Sequence, residues 1–148
     1  MLEVRRITAS DCHDLRRRVL RSGTPSADVR FGRDDEPTTA HFGAFADGAL
    51  TGIASCSPSP TPLHPGEPAW QLRGMAVEPE RQGTGAGRAL VAAVIDHASG
   101  EGATVLWANA RDSALGFYAR MGFAVEGAGF VTADTGLPHH VVLLDLRS

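Results

Sequence analysis

The chain has 148 residues, 43% of them hydrophobic, and a formal net charge of −3. This length predicts one domain, residues 1–148, with a single core. The mild charge gives no reason to expect nucleic acid or an anionic membrane surface as a partner. The longest apolar stretch, Ala89 to Ile95, is far too short to cross a bilayer. No charged segment followed by an apolar one opens the chain, so we expect no secretory signal and a cytoplasmic location.

Residue usage narrows the chemistry that is available. All fourteen basic residues are Arg, so no Lys can act as a catalytic base or form a Schiff base. Cys12 and Cys56 have neither metal-ligand spacing nor the pattern of a disulfide framework, and we expect no metal. Only one Asn and one Tyr occur, Asn109 and Tyr118.

The N-terminal segment predicts a strand followed by a helix. Leu2 to Thr8 alternates apolar and charged residues, which favours a strand. Thr8 or Ser10 can cap a helix from Asp11 to Arg21. The cluster Arg16 to Arg18 near its end predicts a solvated helix terminus, with a rim for an acidic substrate as the alternative.

Two loops and a hairpin come next. Residues 22–37 are rich in Gly, Pro, Ser and Asp, which predicts a long loop, with a short helix inside it as the alternative. Thr38 to Phe45 and Leu50 to Cys56 are joined through Asp47-Gly48, which predicts a β-hairpin. Ser57 to Pro68 holds five of the nine prolines and predicts a second loop.

The second half of the chain alternates strands and helices. Its elements complete the order β-α-loop-β-β-β-α-β-α-β-β, which predicts a mixed α/β sheet with helices on both faces. We expect strands at Trp70 to Val77, Thr104 to Ala108, Phe123 to Phe130 and His139 to Leu146, and helices after the glycine loop and from Asp112 or Ser113 to Met121.

A glycine loop, residues 82–87, separates the Trp70 to Val77 strand from the helix that follows. Its sequence Gln-Gly-Thr-Gly-Ala-Gly lets the backbone adopt positive φ and lets a ligand approach without meeting a Cβ. The first turn of the helix presents unpaired N–H groups at the loop, which is a site for phosphate or pyrophosphate. One apolar face of this helix is expected to be buried: Leu90, Val91, Val94, Ile95 and Ala98.

Three known phosphate loops compete for this segment. A P-loop needs Lys-Ser/Thr after its last glycine, but Arg-Ala follows Gly87. The dinucleotide fingerprint needs Gly-x-Gly-x-x-Gly, whereas the spacing here is Gly83-x-Gly85-x-Gly87. The sequence Gln82-x-x-Gly85-x-Gly87, after a Met-Ala-Val strand and a Pro-Glu turn, resembles the acyl-CoA-binding motif of the GNAT superfamily of N-acetyltransferases.

Residues 109–123 carry a second resemblance to the same family. Their sequence, Asn-Ala-Arg-Asp-Ser-Ala-Leu-Gly-Phe-Tyr-Ala-Arg-Met-Gly-Phe, is similar to the GNAT segment in which an Asn ends a strand, a helix carries Phe-Tyr and Gly-Phe opens the next strand. The single Asn and the single Tyr of the chain both fall on this pattern. The resemblance is specific over residues 70–123, and over the first sixty residues it is based on element order alone.

The resemblance implies the GNAT acyl-CoA N-acyltransferase fold, an α/β architecture whose mixed, mostly antiparallel central sheet is splayed at the cofactor strand. It implies acetyl-CoA (coenzyme A) as co-substrate, held without a metal, and makes a homodimer one option. The implied cofactor contacts are Met75, Ala76, Val77, Gln82, Gly83, Thr84, Gly85, Ala86, Gly87, Arg88, Asn109, Ser113, Phe117, Tyr118 and Arg120.

The resemblance also implies catalytic roles. Transfer from a thioester to an amine expels a thiolate, so an acid near the sulfur speeds the reaction. Tyr118 is the implied acid, because an unperturbed Tyr stays protonated at neutral pH. The backbone amide of Val77 is implied to stabilise the oxyanion. A packing role for Tyr118 and an ordinary core strand around Val77 are the structural alternatives.

The base that takes the amine proton is left open by the sequence. Glu78 is a candidate because it ends the central strand, although its Pro-Glu turn favours a solvated position. His41, His139, His140 and a water chain are the alternatives. The alternation of the strand also predicts that Gln71 and Arg73 share a face with Met75 and Val77 and line the acceptor pocket.

We therefore expect an acetyl-CoA-dependent N-acetyltransferase that transfers an acetyl group directly to an amine of a small molecule or peptide within a ternary complex. A second hypothesis is an acyl-CoA-binding sensor or regulatory module without turnover, and a third is another nucleotide-binding protein. Neither cysteine lies near the two motifs, which disfavours an acyl-enzyme intermediate.

Overall fold

A computed structural model describes residues 2–24, 26 and 28–147. Their strands form a seven-stranded sheet in the order β1-β2-β3-β4-β5-β7-β6, in which β4 and β5 are parallel and the other neighbours are antiparallel. The strands are β1 Leu2–Ile7, β2 Ala40–Ala46, β3 Ala49–Pro58, β4 Ala69–Val77, β5 Val105–Arg111, β6 Ala124–Val131 and β7 Pro138–Asp145.

Three helical segments accompany the sheet. Helix α1 spans residues 10–20 and combines a 3-10 turn, a single α turn and a π-helical turn, Arg16–Leu20. Helix α2 is Ala86–Gly100, and α3 is Leu115–Arg120, preceded by a 3-10 turn, Asp112–Ala114. None of the described helices has the length and apolar character needed to cross a bilayer. The predicted element order and the mixed α/β fold class are confirmed.

The two faces of the sheet carry separate cores, which explains why helices are needed on both sides. Helix α2 lays Leu90, Val91, Val94 and Ala98, all fully buried, against one face, as predicted, and Ile95 is partly buried beside them. Helix α1 covers the other face with a smaller core that includes Leu15 and Ile53.

Helix α1 begins with a reciprocal cap. The Thr8 hydroxyl accepts a hydrogen bond from the Asp11 N–H at 3.2 Å, and the Asp11 carboxylate accepts one from the Thr8 N–H at 3.0 Å. This arrangement satisfies two backbone donors at the helix start. Of the two caps that the sequence offered, Thr8 is the one used.

The prediction that the arginines of α1 are solvated is wrong for Arg16, whose side chain is completely buried. Its guanidinium makes two hydrogen bonds to the Asp34 carboxylate, at 2.7 and 3.1 Å, and donates to the Val29 carbonyl and the Ser55 hydroxyl. A charge with these partners is stable inside a protein, because ion pairing and hydrogen bonding offset its desolvation. Arg17 and Arg18 are exposed, as predicted.

The long loop before β2 is fastened by this buried ion pair. Phe31 lies over the Arg16 guanidinium at 3.9 Å, and its backbone N–H donates to the Asp34 carboxylate. The described residues between 22 and 39 form no strand or helix, so the predicted loop is present there without the alternative short helix, and residues 25 and 27 lie outside the described part. The hairpin turn at Asp47-Gly48 is also confirmed, with positive φ at both residues as its turn type requires.

Strand β4 contains a bulge at Gly74 that overturns one prediction. Arg73 pairs with Ser55 and Ala76 pairs with Ile53, so β4 has one more residue than β3 over this stretch. Because one extra residue exchanges the faces of a strand, Arg73 points toward α1 whereas Val77 belongs to the core under α2. Gln71 and Arg73 therefore do not share a face with Met75 and Val77.

Strands β4 and β5 separate after a short parallel contact. They pair only at Ala69, Trp70 and Gln71 of β4, although both strands continue beyond that point. The splay predicted for the cofactor strand is therefore present, and it opens a cleft through the middle of the sheet.

The buried ion pair of Arg16 gives a stability prediction. We expect Asp34→Asn to lower the free energy of unfolding by about 3 kcal/mol or more, because it leaves a buried guanidinium without its counter-charge. Asp14→Asn is the matched control: Asp14 is 66% exposed and pairs with Arg18 on the surface, so we expect a loss below about 1 kcal/mol. Urea unfolding at neutral pH measures both.

The same pair sets a pH dependence. Burial raises the pKa of Asp34, but hydrogen bonds from Arg16 and from the Phe31 N–H outweigh it and hold that pKa below its ordinary value. A depressed carboxyl pKa stabilises the fold above the unfolded-state pKa, and this stabilisation is lost as pH falls through the folded-state pKa. The difference between wild type and Asp34→Asn should therefore shrink at acidic pH. A constant difference would contradict the ion-pair account.

Candidate functional site

The glycine loop has the backbone geometry of an anion cradle. Gly83 and Gly85 adopt φ of 82° and 97°, and a Cβ on either would meet nothing within 4 Å, so the loop surface is open. Helix α2 begins directly after Gly85 without a side-chain cap. Its first backbone N–H groups are therefore available to phosphate oxygens, and the helix dipole favours negative charge at that end.

Gly87 lets α2 approach two other elements of the site. A Cβ at Gly87 would lie 3.3 Å from the Met75 side chain on β4 and 3.3 Å from the Phe117 ring on α3. The Gln82 side chain also donates to the Val77 carbonyl at 3.2 Å. The first residue of the glycine loop, Gln82, is thus hydrogen-bonded to the end of β4. Its last residue, Gly87, packs close to side chains of β4 and α3.

The remaining predicted cofactor residues differ in their exposure. Arg88, Ser113 and Arg120 are exposed, whereas Ala76 and Ala86 are buried, so the last two can offer a ligand only backbone groups. Thr84 is exposed and its hydroxyl donates to the Arg81 carbonyl. Arg88 and Arg120 suit phosphate oxygens because a guanidinium can bind them with two hydrogen bonds.

The backbone of β4 turns N–H groups toward the cleft. The N–H of Glu78 donates to the Thr51 carbonyl of β3 at 2.8 Å. Because successive N–H groups of a strand point in opposite directions, the N–H of Val77 points to the β5 side, where the two strands have separated. An amide in this position can donate to a carbonyl oxygen bound in the cleft.

A cavity of about 430 Å³ lies in the cleft and is lined by residues from both faces of the sheet, including Leu20 and Arg21 at the end of α1. Three of the predicted site residues, Met75, Asn109 and Tyr118, line it. Gln71 and Arg73 also line it, although the predicted common face with Val77 is wrong. The candidate base His139 and parts of the loop between residues 20 and 32 add to its wall, and sequence reasoning missed Arg111 and residues 132, 134 and 135.

Tyr118 lines the cavity and is only 7% exposed. Its ring makes edge-to-face contacts with Phe117 and Phe123, each with centroids 5.3 Å apart. Burial raises the pKa of Tyr118 to about 12. In the described part of the chain no side chain or carbonyl is hydrogen-bonded to its hydroxyl, so a fully protonated donor faces the cavity.

Two of the four candidate bases are committed elsewhere. His41 is buried, accepts a hydrogen bond from Ser55 at 2.6 Å and donates to the Asp34 carbonyl at 3.0 Å, so both of its ring nitrogens are used. His140 is on the opposite face of β7, where its Nδ1 lies 2.7 Å from the Asp112 carboxylate. Neither histidine lines the cavity.

Glu78 is held by Arg18 rather than solvated. The Arg18 guanidinium donates to both carboxylate oxygens, at 2.9 and 2.5 Å, and the Glu78 side chain is only 15% exposed. These hydrogen bonds lower the pKa of Glu78, which makes it a weaker base. Glu78 does not line the cavity.

His139 is the candidate base that the fold brings to the cavity. It is buried, lines the cavity and stacks on Phe130. Its Nδ1 donates to the Leu137 carbonyl at 2.8 Å. Because a neutral imidazole carries one N–H, this bond leaves Nε2 as the acceptor.

Both cysteines are free and buried. Burial raises the pKa of the Cys12 thiol and raises that of Cys56 to about 12. A thiol must ionise to act as a nucleophile, and neither cysteine lines the cavity. The environment of these thiols therefore gives no support to an acyl-enzyme intermediate.

Known proteins resemble this chain over most of its length. The model of the Acetyltransferase (GNAT) family matches residues 9–123. An uncharacterised N-acetyltransferase of Bacillus subtilis, YitI, is 33% identical over 143 residues, which cover 97% of this chain and 95% of that protein.

Solved structures agree with this result. A protein described as an acetyltransferase of the GNAT family from Desulfovibrio desulfuricans has a TM-score of 0.72 and 27% identity, with 99% of this chain and 100% of that chain covered. An aminoglycoside 6'-N-acetyltransferase complexed with coenzyme A has a TM-score of 0.76 and 14% identity, with 99% and 98% covered. At this identity the likeness concerns the fold.

The environment of Tyr118 can be tested directly because the chain has one Tyr. With a pKa of about 12, roughly 3% of the native protein should carry tyrosinate at about pH 10.5, whereas roughly three quarters of a urea-unfolded sample should. Tyrosinate absorbance measures both, with circular dichroism to verify folding. Tyr118→Phe is the blank. A native midpoint near pH 10 would contradict the buried, protonated state.

Proposed function

Since the chain belongs to the GNAT family of acetyltransferases, we propose that it moves the acetyl group of acetyl-CoA to an amine by direct transfer within a ternary complex. The observation that carries this proposal is the position of Met75. Its side chain lies 3.3 Å from where a Cβ on Gly87 of the glycine loop would be, and it also lines the cavity that Tyr118 lines. A donor held at the loop can therefore extend along β4 into the cavity.

Acetyl-CoA fits the donor side of the site. The backbone amides of Gly83, Gly85, Ala86 and Gly87 suit the pyrophosphate, whereas the Thr84 N–H already donates to the Arg81 carbonyl. Arg88 and Arg120 are exposed cations that suit phosphate oxygens. The edge of β4 that faces the cleft suits the amides of the pantetheine arm, which would add to β4 as a further strand does. The aminoglycoside acetyltransferase that shares this fold is complexed with coenzyme A.

The reaction needs three functions at the thioester. The acceptor nitrogen attacks the carbonyl carbon, and the Val77 N–H stabilises the oxygen that gains charge. The C–S bond then breaks, and Tyr118 gives its proton to the departing sulfur. The proton of the acceptor nitrogen passes to His139 Nε2, directly or through water, and the products are CoA and the acetylated amine. Loss of this proton from His139 to solvent and uptake of one by Tyr118 return both residues to their starting states.

The experiment that tests the function is release of CoA from acetyl-CoA over a panel of small amines and peptides, with Tyr118→Phe alongside. We expect acceptor-dependent release and a kcat lower by about 100-fold or more in the variant, with unchanged affinity for acetyl-CoA, because only the acid is lost. The chain has no Lys, so acetylation of its own lysines cannot obscure the product.

The alternatives predict different results in the same experiment. Tight binding of acetyl-CoA, with no release of CoA in the presence of any acceptor, would favour a sensor without turnover. Failure to bind acetyl-CoA at all would overturn the proposal. An unchanged kcat in Tyr118→Phe would leave the enzyme assigned but remove Tyr118 from the reaction.

A second prediction concerns the base. We expect His139→Asn to keep a donor for the Leu137 carbonyl while removing the Nε2 acceptor, and to lower kcat/KM at neutral pH. The difference in kcat/KM between wild type and His139→Asn should narrow as pH approaches about 10, the ordinary pKa of an alkylamine. At that pH much of the amine is already neutral and needs no base to remove a proton before it attacks. His140→Asn, on the other face of β7, is the control. A deficit that is equal at every pH would indicate a structural role.

A further inference from the structure

The cavity is positively charged although the chain as a whole is negative. Its lining includes four arginines but only two acidic residues, Asp28 and Asp134. Each acid is already beside an arginine: Asp134 lies 3.2 Å from Arg21, and Asp28 lies 3.9 Å from Arg30. The two other arginines, Arg73 and Arg111, give the cavity its excess positive charge.

Arg73 and Arg111 are held by backbone carbonyls rather than by carboxylates. Arg73 donates to the Gly32 carbonyl at 2.7 Å, and Arg111 donates to the Leu20 carbonyl at 2.5 Å. Within the described residues, no carboxylate oxygen lies within 4 Å of either guanidinium. By contrast, Arg16, Arg18 and Arg21 each have a carboxylate partner.

Both side chains are half-buried, so the missing counter-charge is costly. Burial lowers the pKa of Arg73 and of Arg111, which reflects the partial loss of water around each guanidinium. Buried charges in proteins are normally paired. A ligand anion would supply the partner that the chain does not.

The two guanidiniums come from opposite sides of the cleft but from one face of the sheet. Arg73 is on β4 opposite Ser55, which contacts Arg16 of α1. Arg111 is at the end of β5 and reaches the end of α1 at Leu20. A guanidinium has five N–H donors, so each retains donors after its backbone bond.

We propose that Arg73 and Arg111 bind a carboxylate on the same molecule as the acceptor amine, so that the substrate is an amino acid or a similar small aminocarboxylate. This inference rests on the proposed function, since it assigns the acceptor of the same site. An acceptor with several cationic groups is disfavoured, because the cavity would repel its additional charges.

The same charges assist the reaction. A nearby cation disfavours the protonated form of an amine and lowers its pKa. An acceptor held by its carboxylate between the two arginines therefore has a larger fraction of neutral nitrogen. This reduces the demand on His139, which lies opposite Arg111 in the β5–β7 pairing.

The test uses matched acceptors, namely the common L-amino acids and their carboxamides, with aminoalkyl phosphates and polyamines in the same panel. We expect a free amino acid to exceed its amide in kcat/KM by roughly 10- to 100-fold, the effect of one or two charge-assisted hydrogen bonds. In Arg73→Gln and in Arg111→Gln this ratio should fall toward one. Arg33→Gln is the control, since Arg33 also bonds a backbone carbonyl but does not line the cavity.

A binding measurement keeps the inference testable without turnover. Calorimetry in the presence of CoA compares N-acetyl amino acids with their amides, and tighter binding of the acids that is lost in Arg73→Gln would support the carboxylate site. Equal binding of acids and amides, preference for phosphates or polyamines, or a preference that survives both substitutions would overturn it. Failure of acetyl-CoA to bind would instead overturn the proposed function, so the two failures are distinguishable.

Discussion

The buried ion pair between Arg16 and Asp34 determines how one wall of the cavity is built. It joins α1, the loop before β2 and, through Ser55, strand β3. The loop is thereby held with Phe31 against Arg16 and with the Gly32 carbonyl on Arg73. A buried charge pair contributes less to net stability than to the choice of one arrangement, because misplacing either partner leaves a charge unpaired. The acceptor side of the site depends on that choice.

The cleft itself results from incomplete strand pairing. Strands β4 and β5 stop pairing after Gln71, and the bulge at Gly74 changes which side chains of β4 face α1. A Cβ at Gly74 would lie 3.0 Å from Phe31 and 3.3 Å from Arg16, and the residue has a φ of 61°. Glycine at this position thus allows the loop to pack directly on the bulge. Strands β4 and β5 therefore lack hydrogen bonds to each other beyond Gln71, and the backbone N–H groups of β4 that face the cleft are left available to a ligand.

Local features of the sequence predicted the elements that form the proposed donor side. Glycine spacing, the apolar face of α2 and the positions of Asn109 and Tyr118 depend on residues close together in the chain. Of these, Asn109 and Tyr118 line the cavity, and Gly87 lies close to Met75, which also lines it. The acceptor side was not predictable in this way. The burial of Arg16 depends on Asp34 and Ser55, the exchange of faces depends on the β3–β4 register, and Arg111 meets α1 across ninety-one residues. No periodicity within a strand or helix records such distant partners.

The two substrates of the proposed reaction would be served by different parts of the chain. The part of the cavity proposed to bind the acceptor is lined largely by the loop between residues 20 and 32 and by residues 132–135. These segments are separate in the chain from the glycine loop, residues 82–87, which precedes and begins α2. Mutations in them can alter which amine is accepted while the donor cradle stays intact. Loops on a fixed scaffold tolerate such change better than strands or helices do. Divergence of acceptor specificity, with the donor retained, is therefore the evolutionary path that this architecture makes easy.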